Sequence, residues 1–276
     1  MASGTDHTSG EFAERIALVT GGASGIGEAV VRALARQMAR VVIVDLSTRL
    51  SAGVQLVNDL GEDRAMFVEV DVRDDTAIDE AFDQVEQRWG VVDLLVTSAG
   101  VDSHPDIVSR VRMDQLELRQ WDFVIDVNLI GTFSFCRAFA ARAISAGSHG
   151  TIVTLASLAA RKPKGGVYSV SKAGVWMLTR VLAAELGPYG IRVNAVAPGL
   201  IDTPMLRRRT ALGGALPGAD PGIHYADDIA RLPLRRLGTT AEVSDAILYL
   251  AGNASTYVTG SLISPDGGFA SFAGGG

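Results

Sequence analysis

Seven short apolar runs alternate with amphipathic stretches along most of this chain, and that rhythm limits the folds open to it. Residues 16–20, 41–45, 65–70, 94–97, 151–155, 191–196 and 262–264 each read as a strand. The runs are nearly continuous in hydrophobicity, as strands covered on both faces are. Helical patterns fill the gaps at roughly 25–38, 48–60, 75–88, 118–145, 167–187 and 240–252. Strands and helices in this order predict βαβ units. The expected fold class is α/β: one Rossmann-type domain, a doubly wound parallel sheet of about seven strands with helices on both faces. No linker divides the chain, so the domain is expected over 14–270, after a polar, flexible arm at 1–13 and before a frayed tail at 271–276.

Two connections break the rhythm. Residues 101–115 carry three Asp, a Pro, a His and two Arg, and residues 203–237 are rich in Gly, Pro and Arg. Long connections inside a compact domain tend to be lids or binding loops. The second is expected to cover a substrate site, and the first to add to its mouth.

Composition removes several function classes. A net charge of −6, with 20% charged residues, gives no broad basic surface for nucleic acid. Cys136 is the only cysteine, and the four His are scattered, so neither a disulfide nor a metal motif is expected. The N-terminus lacks the apolar core of a signal peptide, and no run of about 18 apolar residues suggests a membrane span. A cytoplasmic protein is the expectation.

The chemistry concentrates in four places. Residues 20–27, Thr-Gly-Gly-Ala-Ser-Gly-Ile-Gly, follow the first strand and open the first helix. Glycine there permits a tight turn and lets backbone N–H groups approach a pyrophosphate. Gly21, Ser24, Gly25, Ile26 and Gly27 are the candidate contacts, although their spacing departs from G-x-G-x-x-G. Asp45, at the end of the second strand with Leu46 beside it, can accept bonds from ribose hydroxyls and repel a 2′-phosphate, which favours NAD over NADP. Asp71 and Val72, after the third strand, either flank an adenine or form a turn. Tyr168 and Lys172 are four residues apart, on one helix face one turn apart. A cation beside the phenol favours phenolate, and lowering its pKa from about 10 to neutrality takes roughly 4 kcal/mol.

With these stand Thr97-Ser98-Ala99-Gly100, Asn128, Ser157, Pro198-Gly199 and Asp266-Gly267-Gly268. Over about residues 14–270 the set resembles the short-chain dehydrogenase/reductase family. The resemblance implies that Tyr168 is the acid/base and that Lys172 lowers its pKa while binding the nicotinamide ribose. It implies that Ser157 orients the substrate oxygen and that Asn128 anchors a water relaying protons to solvent. Ser98, Ala99, Gly100, Pro198, Gly199, Ile201 and Thr203 would line the cofactor, with Ile201 at the nicotinamide amide and Thr203 at the pyrophosphate. It also implies a homo-oligomer, commonly a tetramer. Helices at 118–145 and 167–187 that are apolar on more than one face agree with that.

Two departures bear on the site. Thr97 and Ser98 stand where the family commonly has two Asn. Ser157 precedes Tyr168 by eleven residues, fewer than is usual there, so 162–166 must turn more tightly. The expected reaction is NAD-dependent interconversion of a secondary alcohol and a ketone. Epimerisation or dehydration with the same Tyr and Lys, and non-catalytic dinucleotide binding, are the alternatives. Residues 203–237 do not choose among steroids, sugars, cyclic alcohols and acyl thioesters, and Arg207-Arg208-Arg209 read as an anion site or a solvated face.

Overall fold

A computed structural model describes residues 10–107, 111–161, 165–213 and 229–272. The seven apolar runs form β1 (Ile16–Thr20), β2 (Arg40–Asp45), β3 (Ala65–Glu69), β4 (Leu94–Thr97), β5 (Gly150–Leu155), β6 (Ile191–Val196) and β7 (Leu262–Ile263). They pair in parallel in the order β3-β2-β1-β4-β5-β6-β7. All seven strands therefore end at one edge of the sheet. The order reverses between β1 and β4, and the crevice outside that switch point is where such sheets take ligands.

The helices are α1 (Gly25–Arg36), α2 (Leu50–Leu60), α3 (Asp75–Arg88), α4 (Leu118–Ile125), α5 (Gly131–Ser145), α6 (Val167–Leu186), α7 (Pro204–Gly213), α8 (Thr240–Ala251) and the short α9 (Phe269–Phe272). Each face of the sheet is covered. Val30, Val31 and Leu34 of α1, Leu56 of α2, and Val243 and Ile247 of α8 pack with Val19, Ile43 and Val96. On the other face Phe82 of α3, Phe135 and Phe139 of α5, and Leu182 of α6 pack with Leu18, Val42, Leu95 and Ile152. Side chains this deeply buried contribute about 1.5–3 kcal/mol each, so the two layers hold the strand ends in fixed register.

Three local details differ from the sequence expectation. First, α2 begins at Leu50, after a 3₁₀ turn at Ser47–Arg49. Second, the arm expected at 1–13 is folded by Gly10. Phe12 is 1% exposed within the core, and Glu11 Oε1 accepts the Asn253 N–H at 2.7 Å. One aromatic ring among polar residues carries no periodicity, so its burial left no pattern to read.

Third, the stretch 118–145 is one helical run interrupted by a π turn at Asp126–Ile130. It is long and apolar enough to span a bilayer, but 61% of its most apolar window is buried inside the fold. Packing on the sheet accounts for that hydrophobicity. A π turn widens the helix by one residue and is found mostly where function needs it; here it carries Asn128.

Gly131, directly after the π turn, lies against Val72. An added Cβ would meet Val72 Cγ2 at 2.7 Å and its carbonyl oxygen at 2.9 Å. Alanine elsewhere in a helix gains about 1 kcal/mol over glycine, whereas overpacking costs about 1–3 kcal/mol. Gly131→Ala is therefore expected to lower stability by about 1–2 kcal/mol in urea unfolding, against the helix-propensity trend.

Candidate active site

The glycine loop and the end of β4 close over the switch point together. Gly21 has φ 63°, and an added Cβ would lie 2.9 Å from Ala99 Cα. Only glycine lets the β1 turn pass that closely under Ala99. Thr20 Oγ1 accepts the Ala99 N–H at 3.1 Å, tying the two strand ends. The loop is held from the other side by Asp45, whose carboxylate accepts the Ala23 N–H at 3.0 Å and the Leu46 N–H at 2.9 Å. Ser24 is the N-cap of α1 without a side-chain cap bond, so the first-turn N–H groups of Gly25, Ile26 and Gly27 face the crevice uncapped. Gly25 lies against Thr203 and Pro204, 4.0 and 3.8 Å from the position its Cβ would take. A backbone cradle with a helix N-terminus at its floor fits a pyrophosphate.

The titratable groups gather under the end of β5. Lys172 is 4% exposed, and its Nζ donates to the Leu155 carbonyl at 2.8 Å. Burial pushes its pKa down to about 8. The ammonium lies 5.9 Å from the centroid of the Tyr168 ring. Gly100 borders it: a Cβ there would be 3.4 Å from Nζ and 3.1 Å from Asn128 Oδ1. Asn128 is fully buried. Its Oδ1 accepts the Val101 N–H at 2.8 Å, and its Nδ2 donates to Val101 O at 2.8 Å and Ser171 Oγ at 3.0 Å. Ser171 in turn donates to the Tyr168 carbonyl at 2.8 Å.

Ser157 follows β5, in the turn that packs on α6. Its Oγ accepts the Ala159 N–H at 3.1 Å, which leaves the hydroxyl hydrogen to donate elsewhere. The short Ser157–Tyr168 connection contains a 3₁₀ turn at Leu158–Arg161. It re-enters α6 through Gly165, whose N–H is accepted by Ser169 Oγ at 3.0 Å. Residues 162–164, central to the tight turn expected there, lie outside the described residues.

The remaining expected contacts divide. Pro198 accepts the Leu158 N–H, Gly199 lies tight against Asp266, and Thr203 Oγ1 caps α7 through the Leu206 N–H. Ile201 is buried and bridges to Gly238, so residues 202–237 leave and return at one neck. Ser98 stands half-buried beside Ala99, and Leu46 is exposed. Asp71 is taken up by its own turn: Arg73 grips both carboxylate oxygens and holds its pKa below the usual carboxylate range. Val72 is spent on packing against Gly131. Arg207 pairs with Asp202 on the surface, and Arg209 lies beyond the described side chains. Among the described residues, no group of three His, Cys, Asp or Glu side chains is placed to hold a metal ion.

Sequence reasoning missed two partners. The Leu155 carbonyl is backbone and leaves no mark in the sequence. Ser171 lies inside the Tyr168–Lys172 motif, and its spacing of three from Tyr168 was the available signal.

Residues 21–270 match the family model described as enoyl-(acyl carrier protein) reductase. The chain is 38% identical over 260 residues to a cis-4-hydroxycyclohexanecarboxylate dehydrogenase of Sinomonas cyclohexanicum, covering 94% of this chain and 97% of that one. It is 34% identical to a mitochondrial borneol dehydrogenase of Lavandula x intermedia, over 92% of this chain and 90% of that one. The crystal structure of levodione reductase superposes with a TM-score of 0.84 at 29% identity, covering 94% of this chain and 99% of the other. The chain belongs to the short-chain dehydrogenase/reductase family. It is an oxidoreductase of alcohols and ketones that works with a nicotinamide cofactor.

The buried ammonium has a stability consequence. Unfolding returns Lys172 to its ordinary 10.5 from about 8, and about 1.4 kcal/mol per unit makes the buried charge cost roughly 3 kcal/mol. Between those values the unfolded chain holds a proton that the folded one lacks, so this contribution to stability rises with pH there. Lys172→Met is expected to raise stability at pH 7 by about 1–3 kcal/mol, with the gain fading as pH climbs from about 8 to 10.5. Urea unfolding at several pH values checks it.

Proposed function

We propose that this chain is an NAD-dependent dehydrogenase/reductase in which Tyr168 is the acid/base, Lys172 its activating cation, Ser157 the hydroxyl that orients the substrate oxygen, and Asn128 the support of the proton relay. The observation that carries the reading is the Lys172 ammonium, buried and bonded to the Leu155 carbonyl beside the Tyr168 ring. A charge held in that position costs stability, and a structural role is served equally well by an apolar side chain.

In the oxidative direction, the Tyr168 phenolate takes the proton of the substrate hydroxyl. Ser157 donates a hydrogen bond to the same oxygen, its Oγ already fixed by the Ala159 N–H. Bound NAD supplies the hydride acceptor. In reduction, Tyr168 returns the proton to the forming alkoxide. Proton transfer by a positioned group typically gives about 10²–10⁴-fold in rate. The Asn128 backbone carbonyl, which accepts from Thr132 Oγ1 at 2.8 Å, is the group that would hold the relay water.

Holding the cofactor falls to Gly21, Ser24, Gly25, Ile26 and Gly27 at the pyrophosphate, with Asp45 and Leu46 on the adenosine side. Asp71 and Val72 would meet the adenine through their backbone, since Arg73 holds the Asp71 carboxylate and the Val72 side chain packs on Gly131, and Ser98, Ala99 and Gly100 lie along the crevice. Pro198, Gly199 and Ile201 would stand by the nicotinamide, with Thr203 at the pyrophosphate. The preference for NAD over NADP rests on Asp45, whose charge opposes a 2′-phosphate. The substrate we favour is a secondary alcohol on a ring, because the relative at 38% identity is named for 4-hydroxycyclohexanecarboxylate. The half-buried Met205 and Leu206 would give it an apolar cover.

We also read the protein as a homo-oligomer, a tetramer by family resemblance. Ile130 and Phe133 on the α4–α5 run, and Val170, Met177 and Val181 on α6, are exposed apolar side chains that a second copy would cover. A cytoplasmic location agrees with a single, buried cysteine whose burial raises its pKa to about 12.

Three outcomes are expected. Tyr168→Phe loses at least about 10²-fold in kcat yet binds NADH nearly as the parent does; parental turnover would contradict the assignment. Asp45→Asn narrows the NAD-over-NADP preference in kcat/KM by about tenfold, while an unchanged ratio would remove Asp45 from cofactor selection. Sedimentation at micromolar concentration gives a multiple of the 29.0 kDa chain, whereas a monomer would refute the oligomer.

A further inference from the structure

Three segments from distant parts of the chain meet around two buried side chains. Asn128, in the π turn, holds the loop after β4 through two bonds to Val101. Its remaining amide hydrogen goes to Ser171 Oγ at 3.0 Å, and the Ser171 hydroxyl goes on to the Tyr168 carbonyl at 2.8 Å. Ser171 has no exposed surface and sits one residue before Lys172. With both Nδ2 hydrogens spent, Asn128 joins the β4 loop to Ser171 of α6 and, through its hydroxyl, to the Tyr168 carbonyl in the first turn. Gly100, carried by that loop, is what stands against the Lys172 ammonium.

We propose that Ser171 is a positioning residue: through the chain Asn128 Nδ2–H to Ser171 Oγ–H to Tyr168 C=O, it fixes the α6 turn bearing Tyr168 and Lys172 against the π turn and the Gly100 loop. A serine three residues after a helical carbonyl can bond back to it with no outside partner. What distinguishes Ser171 is that the same oxygen also receives a buried amide that has no other acceptor for that hydrogen. Removing the hydroxyl leaves an Nδ2 hydrogen unsatisfied in the interior, and Asn128 must tilt or the loop must shift to recover it. Either movement carries Gly100 away from Nζ. The ammonium keeps its bond to the Leu155 carbonyl but loses the backbone packed on its other side, so it is held less firmly beside the phenol and the phenolate becomes harder to form.

The proposal rests on Tyr168 being the acid/base, and its test separates the two. The enzyme with NAD and a turned-over ring alcohol is assayed across pH for the parent, Ser171→Ala, Ser171→Cys, Asn128→Ala, the Ser171→Ala/Asn128→Ala pair, and Thr179→Val. Thr179 is a control for loss of a buried hydroxyl. It bonds Thr154 Oγ1 and Val175 O and lies about two turns further along α6. Ser171→Ala should lower kcat about tenfold and move the acid limb of the kcat profile up by about one pH unit, with the KM for NAD within about twofold of the parent. The double variant should be no worse than Asn128→Ala alone, because both changes break one chain. Thr179→Val should lose stability with its pH limb unmoved. Should Ser171→Ala not fold, Ser171→Cys, close in volume and poor as a donor, should show the same displaced limb. A parental limb in the variant that folds, or full additivity with Asn128→Ala, overturns the proposal while leaving Tyr168 in its role. Retained turnover in Tyr168→Phe overturns the reading beneath it.

Discussion

A lysine ammonium buried beside a tyrosine ring is the constraint around which the site is built. Lys172 is almost wholly buried, and burial alone pulls its pKa down to about 8. A charge in that position survives only with compensating polar groups. The Leu155 carbonyl at the end of β5 supplies one bond, and it is available because the last residue of a parallel strand has no further ladder partner on that side. Tyr168 is held one turn away by the helix itself. The sheet therefore does more than carry the site: where β5 ends decides where the cation can sit.

The same economy explains the crevice. The reversal of strand order between β1 and β4 opens the space, and glycines at 21 and 100 let backbone fill it without side chains in the way. Asp45 serves two purposes there. Its carboxylate ties the glycine loop to β2, and in the function proposed above it also faces the cofactor's adenosine. Thr97 is less easily explained. Its buried hydroxyl has no hydrogen-bond partner among the described residues. The neighbouring Ala99 N–H is accepted by Thr20 Oγ1.

Much of this was legible in the sequence, and the reason is periodicity. Strands buried on both faces read as continuous apolar runs, so β1 to β7 were located to within a residue or so. The glycine loop, Asp45, Asn128, Ser157 and the Tyr168–Lys172 spacing carry chemistry in the residue types themselves. Features that depend on tertiary contact were not legible. Phe12 looks like part of a polar arm until the core receives it. The π turn at Asp126–Ile130 leaves the apolar pattern of 118–145 nearly intact, and the grip of Arg73 on Asp71 is a side-chain pairing that the residue types alone do not announce. The Asn128–Ser171 bond joins residues 43 apart in sequence, and no local pattern reports it.

The central claim is that the buried ammonium makes Tyr168 acidic, and a tyrosinate absorbance titration of the NAD-bound enzyme tests it most directly. Five tyrosines are present, so the parent is compared with Tyr168→Phe under the same conditions. The account predicts one tyrosine ionising at about pH 8 or below in the parent and missing from Tyr168→Phe. Identical titrations, with no tyrosine ionising below about pH 9, would contradict it.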